Sequence, residues 1–179
     1  MKKVKVKCFA IIAVFAVAAC SFNGERFYDY QGYKKMLEKK DFNPIETKAV
    51  AEVIRNGEKS TVEYTYDAED SKRWVGTYTE DIDGEEVEMT TYQPLNLKDF
   101  ISTLPGSATF MKTEVDDAFK FYASKDEYRI VAEIDTDYGH QSGESKFNQD
   151  GLCVSAYSLL KDKNGEIKEE ETINYTYSK

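Results

Sequence analysis

The chain lacks the basic character that nucleic-acid binding requires. Its 24 basic residues face 33 acidic ones, and a formal charge of −9 offers no footprint for phosphates. Histidine occurs once, at His140, and cysteine three times, at Cys8, Cys20 and Cys153. No Gly-x-Ser-x-Gly, Walker loop, His-Glu-x-x-His or Cys-x-x-Cys is present, so the familiar enzymatic routes lack their parts. Long apolar runs are also missing. The longest, residues 8–19, has twelve residues, whereas a membrane-spanning helix needs roughly 20.

What is present begins with an address. Four lysines and no acid lie within Met1–Lys7, and the apolar run that follows ends in small residues, the arrangement of a secretory signal. The run closes on Val17-Ala18-Ala19-Cys20 and is followed by polar residues. This tetrapeptide resembles the lipobox of bacterial lipoproteins. The resemblance implies cleavage between Ala19 and Cys20 and a diacylglycerol on the Cys20 thiol, often with a further acyl chain such as palmitate on the new amino terminus. It places the protein on the extracytoplasmic side of the cell membrane or outer membrane. An ordinary signal peptide that happens to precede a cysteine is the alternative. Removal of residues 1–19 takes the formal charge from −9 to −13, because four lysines leave with them. Such acidity opposes adhesion to anionic lipid heads, so attachment would rest on the acyl chains, each buried methylene contributing about 0.8 kcal/mol. Residues 20–28 then read as lipidated cysteine and tether, and 29–179 as one domain. Cys153 is left without a partner and reads as a small buried hydrophobe.

The domain reads as mainly antiparallel β. Asn56-Gly57, Asp83-Gly84, Asp150-Gly151 and Asn164-Gly165 each separate β-rich runs, and such pairs accept the positive φ of tight hairpin turns. Apolar and polar residues alternate through 62–66 and 74–79, and again in Phe119, Phe121, Ala123 and in Tyr128, Ile130, Ala132, Ile134. Ten strands are expected, near 47–55, 58–67, 73–82, 85–92, 107–115, 118–124, 127–135, 144–149, 152–161 and 166–178. Two helices interrupt them. Tyr30, Tyr33, Met36 and Leu37 form one face between Asp29 and Lys40, and Asn96 caps a helix over 97–104 that Pro105-Gly106 should end. So many strands with one apolar face cannot remain flat in water. The expected fold is a strongly curved, meander-like half-barrel, with the two short helices covering its concave face.

This element order, with hairpins such as Phe147-Asn148-Gln149-Asp150-Gly151-Leu152, resembles the LolA-like and LppX-like lipoprotein and lipid carriers. The resemblance covers the mature domain and implies an unclosed barrel with an apolar cavity between sheet and helices.

Chemistry-bearing residues are few. His140 lies in Asp137-Tyr138-Gly139-His140-Gln141-Ser142-Gly143, which reads as a flexible polar loop rather than a catalytic turn. Asp81-Ile82-Asp83-Gly84-Glu85-Glu86 and Asp162-Lys163-Asn164-Gly165-Glu166 have glycine too early for a calcium loop and read as solvated turns. Lys168-Glu169-Glu170-Glu171 reads as a charged sheet edge. Most of the thirteen tyrosines, ten phenylalanines and one tryptophan must be core, and the functional reading of the rest is the lining of a cavity or a binding face. Trp74, Tyr78, Phe100, Ile101, Phe119 and Phe121 are the candidates. The expected function is non-enzymatic and needs no cofactor: a membrane-anchored carrier or sensor of a lipid or other apolar molecule. The alternative is an envelope module with a filled core that binds a protein or glycan.

Overall fold

A computed structural model describes residues 24–179, apart from 43–44, 69–72, 83–84, 111–112 and 138. Ten strands pair antiparallel in one sheet: β1 (Arg26–Tyr28), β2 (Lys48–Arg55), β3 (Glu58–Asp67), β4 (Arg73–Ile82), β5 (Glu85–Gln93), β6 (Phe119–Ala123), β7 (Tyr128–Thr136), β8 (Gly139–Phe147), β9 (Cys153–Asp162) and β10 (Ile167–Ser178). Three helices accompany them, α1 (Tyr30–Glu38), α2 (Leu97–Phe110) and the single turn α3 (Val115–Ala118). The strand order is β1-β6-β7-β8-β9-β10-β2-β3-β4-β5, which leaves β1 and β5 as edges of an unclosed sheet. The fold class is the one expected, an open antiparallel sheet with short helices on one face.

Turn chemistry fixes the hairpins. Asn56 and Gly57 have φ of 50° and 86°, the two positive values of a type I′ turn, and they join β2 to β3 directly. Gly151 and Gly165 also have positive φ, 73° and 84°, in wider loops. There Asn148 Oδ1 accepts from the N–H groups of Asp150 and Leu152, and Asp162 Oδ1 accepts from those of Asn164 and Glu166. Asp162 is therefore occupied by its own turn, and by Lys168 at 3.1 Å, as a solvated turn requires. The Asp83-Gly84 turn lies outside the described residues.

Four expectations are corrected. Residues 107–115 do not form a strand, because α2 continues through Pro105 and Gly106 to Phe110, and Val115 opens α3. Proline's fixed φ suits a helix, and the position loses one N–H bond without forcing the chain to stop. The edge of β6 that this strand would have used is taken by β1, with Phe27 opposite Tyr122. That makes residues 26–28 part of the sheet rather than tether. His140 lies within β8, not in a loop, because residues 139–143 pair with β7 on one side and β9 on the other. The acid run is not at an edge either, since β10 lies between β9 and β2, and Glu171 and Glu169 meet Arg55 at 2.6 and 3.8 Å.

The path from β5 to β6 decides what covers the inner face. These strands stand eight positions apart, roughly 38 Å along the sheet at about 4.8 Å per strand. The connection carries α2, about 21 Å long, across the inner face of the sheet, where Leu97, Ile101 and Leu104 join the core. Asp29 caps α1, its Oδ1 accepting from Gly32 N–H at 2.6 Å; a Cβ at Gly32 would lie 2.8 Å from that oxygen. Tyr30, Tyr33 and Leu37 are buried from α1, and Leu97, Ile101 and Leu104 from α2, against inward residues of the sheet.

Gly165 has open space around it, so a side chain there meets only backbone strain. Gly165→Val should lower the free energy of unfolding by about 1 kcal/mol or more. Gly106 lies inside α2 with nothing within 4 Å. Gly106→Ala should therefore raise that free energy by about 0.5–1 kcal/mol, and urea unfolding of the two variants checks both signs.

Candidate functional site: a groove on the concave face

α2 is fastened at its first turn. Leu97 N–H donates to Gly151 O at 2.7 Å and Cys153 N–H to Leu95 O at 2.8 Å, which attaches the helix start to the β8–β9 turn. Asn96 holds the helix start differently from the expected cap. Its carbonyl accepts from Phe100 N–H at 2.9 Å, while its side-chain oxygen accepts from the Trp74 indole at 3.0 Å and its amide donates to Asp99 at 3.1 Å. Phe42 completes this end: its ring lies edge-on to Tyr128, beneath the Lys98 ammonium, and against the bare Cα side of Gly151.

Away from this seam the inner face is incompletely covered. Between α2 and the strands β6 to β9 lies a solvent-open groove of about 790 Å³. Phe100 and Leu104 from α2 and Phe119 from β6 form one wall, and Ile130, Ala132 and Ile134 from β7 form the floor. Opposite them in register, β8 offers only Ser145, Gly143 and Gln141, and β9 continues with Ala156, Ser158 and Leu160. The small side chains of Ser145, Ala156 and Ser158, and the bare Gly143, leave the space.

The six sequence-predicted lining residues separate into three groups. Phe100 and Phe119 line the groove together. Tyr78 lines a second, polar hollow of about 590 Å³ with Tyr64, Val62 and the Arg55–Glu171 pair. Trp74, Ile101 and Phe121 are core residues, 1%, 4% and 0% exposed. Trp74 packs between Tyr66 and Tyr177, and Phe121 against Tyr30 and Tyr33. Those three residues are corrections to a ligand-lining role because they do not border the groove; Phe119, Ile130, Ile134 and Leu104 are similarly buried but do border it. The sequence reading missed Ile130, Ala132 and Ile134 as groove residues. Their alternation was visible, but the lack of bulk opposite them becomes apparent only once β8 is paired.

Titratable groups near the groove serve structure. Burial pushes the Cys153 thiol up to about 12, so it is un-ionised at neutral pH and packs as a small hydrophobe. His140 stands on the outer face of β8, its Nδ1 2.8 Å from Asp135 and its Nε2 2.9 Å from Glu133. Hydrogen bonds to Asp135 first and Glu133 second hold its pKa above the ordinary 6.5. Both nitrogens are engaged by carboxylates, an arrangement that suits the imidazolium rather than a general base. Glu144 is also on the outer face. Partial burial opposes its ionisation, but Arg129 at 3.0 Å and Lys146 at 3.2 Å hold it below the usual carboxylate range. Arg129 also pairs with Glu25 at 2.7 Å and lies 4.3 Å from the Tyr122 ring, which ties the residue just before β1 to the sheet.

Among the described residues no group of three or more His, Cys, Asp or Glu could hold a metal ion, and no helix is long and apolar enough to cross a membrane. Every buried side-chain nitrogen and oxygen among them has a hydrogen-bond partner.

His140 binds its proton more tightly folded than unfolded. The stabilisation is fully present below about pH 6.5 and disappears as pH rises through the raised folded value. By NMR the imidazole should titrate above 6.5, and Asp135→Asn with Glu133→Gln should bring it back toward that value. The Tm gap between the wild type and His140→Gln should narrow as pH rises through the titration.

Comparison with protein-family models, curated proteins and solved structures returns no match.

Proposed function

We propose that this chain is an exported lipoprotein, anchored by a diacylglycerol on Cys20, whose domain holds a lipid or other apolar molecule in the groove beneath α2. One observation carries the reading. The inner face of β7 presents Ile130, Ala132 and Ile134 to a space of about 790 Å³ that no other part of the described chain fills. Ligand pockets are commonly about 300–1,000 Å³ with apolar walls. The half-barrel with helices on its concave side is also the arrangement that a resemblance to LolA-like and LppX-like carriers implies. The role is binding rather than catalysis, and the partners are a membrane, through the anchor, and the apolar ligand. The Val17-Ala18-Ala19-Cys20 leader supports the location at a cell or outer membrane.

The anchor is tested separately from the groove. Mass spectrometry of the mature amino-terminal peptide should find Cys20 first and carrying a diacylglycerol; an unmodified terminus elsewhere removes the anchor.

Ala132 lies on the groove floor and Ile101 in the core. Ala132→Phe should abolish uptake of the uncharged fluorophore N-phenyl-1-naphthylamine while leaving the unfolding midpoint nearly unchanged. Ile101→Trp, inserted into packed core, should destabilise by about 1–3 kcal/mol. No uptake by wild type, with equal damage from both substitutions, would favour an envelope module that engages a protein or glycan.

A further inference from the structure

We infer that the groove selects an uncharged amphiphile, an apolar chain bearing a hydroxyl or similar neutral polar head, and discriminates against fatty-acid anions and other charged lipids. The inference rests on the proposed carrier role and adds the class of ligand.

Charge is the deciding observation. Among the described residues lining the groove there is no lysine, arginine or histidine. The one carboxylate, Glu144, belongs to the outer face of β8, where Arg129 and Lys146 hold it at 3.0 and 3.2 Å. A carboxylate or phosphate seated against these described residues would meet no cation, and an anion that gives up water without gaining a partner is disfavoured. The surroundings add repulsion. The chain carries a formal charge of −9, which opposes the approach of an anion. An ammonium head fares no better inside, because no lining carboxylate is available to it.

Neutral polar groups, by contrast, are plentiful and grouped. Ser145, Gln141 and Ser158 line the β8–β9 side, opposite the apolar floor of β7, and Thr103 adds a hydroxyl from α2. The Thr103 hydroxyl donates to Phe100 O at 2.7 Å, leaving its oxygen able to accept. The groove thus has one apolar side and one neutral hydrogen-bonding side along its length, which fits a chain with a hydroxylated head and offers nothing to an ion.

The test uses displacement of N-phenyl-1-naphthylamine from the mature domain at pH 8.5 by 1-monooleoylglycerol, oleate and oleylamine, each below its aggregation threshold. The monoacylglycerol should displace the probe at a concentration lower by roughly tenfold or more than either charged lipid, a ratio equivalent to about 1.4 kcal/mol. Gln141→Lys places a cation at an exposed groove position, and should lower the oleate concentration required several-fold without changing that of the monoacylglycerol. Oleate or oleylamine binding as tightly as the monoacylglycerol to wild type overturns the neutral selection while leaving the groove as a binding site. An absence of probe uptake by wild type overturns the carrier role and this inference together.

Discussion

The start of α2 is fastened to the β8–β9 turn by two backbone hydrogen bonds, Leu97 to Gly151 and Cys153 to Leu95, and by the Trp74 indole on the Asn96 side chain. Much of the inner face follows from this seam. It fixes the height at which the β5–β6 connection crosses the sheet, and with it which inward side chains α2 covers. Phe147, Leu152, Leu97 and Trp74 pack beneath the fastened end and are all but inaccessible to water. Farther along α2, Phe100 and Leu104 overhang β7 and β8 without filling the space between. A fixed crossing point and a helix of limited length therefore produce a closed end and an open end on one surface.

The open end is also where β8 changes the character of the sheet. Its inward positions are Phe147, Ser145, Gly143, Gln141 and Gly139, so bulk is present at the seam and declines away from it. A Cβ at Gly143 would approach Tyr157 O to 2.9 Å, so the backbone there is already close to its neighbour. β8 is poor in apolar residues but is paired along its length with β7 on one side and β9 on the other. The strand contributes backbone to the ladder and almost no volume to the core. That combination accommodates a groove within a continuous sheet.

Edges are handled by brevity and charge. β1 offers three residues, with Phe27 lying against Tyr122, and Arg129 secures the preceding Glu25. β5 carries Glu85, Glu86 and Glu88 along the opposite edge. Both devices discourage addition of another strand. Neither uses the acid run in β10, whose Glu171 is taken by Arg55 inside the sheet.

Sequence alone determined the hairpins and the covered faces of α1 and α2, because turn glycines and period are local properties. Asn56-Gly57 sets a type I′ turn wherever the strands end, and Tyr30, Tyr33 and Leu37 share a helical face whatever they meet. Only the tertiary structure decided three other things. It placed β8, which has no apolar alternation and exists as a strand through its partners. It gave the edge of β6 to a three-residue strand more than 90 positions away in the chain, and so left residues after Pro105 to continue a helix. And it separated Trp74, Ile101 and Phe121, which do not border the groove, from Phe100 and Phe119, which do. These aromatic and aliphatic residues are chemically alike and equally well patterned. Their fates differ because bordering the groove depends on what crosses above a position, which is a non-local contact that no window of sequence contains.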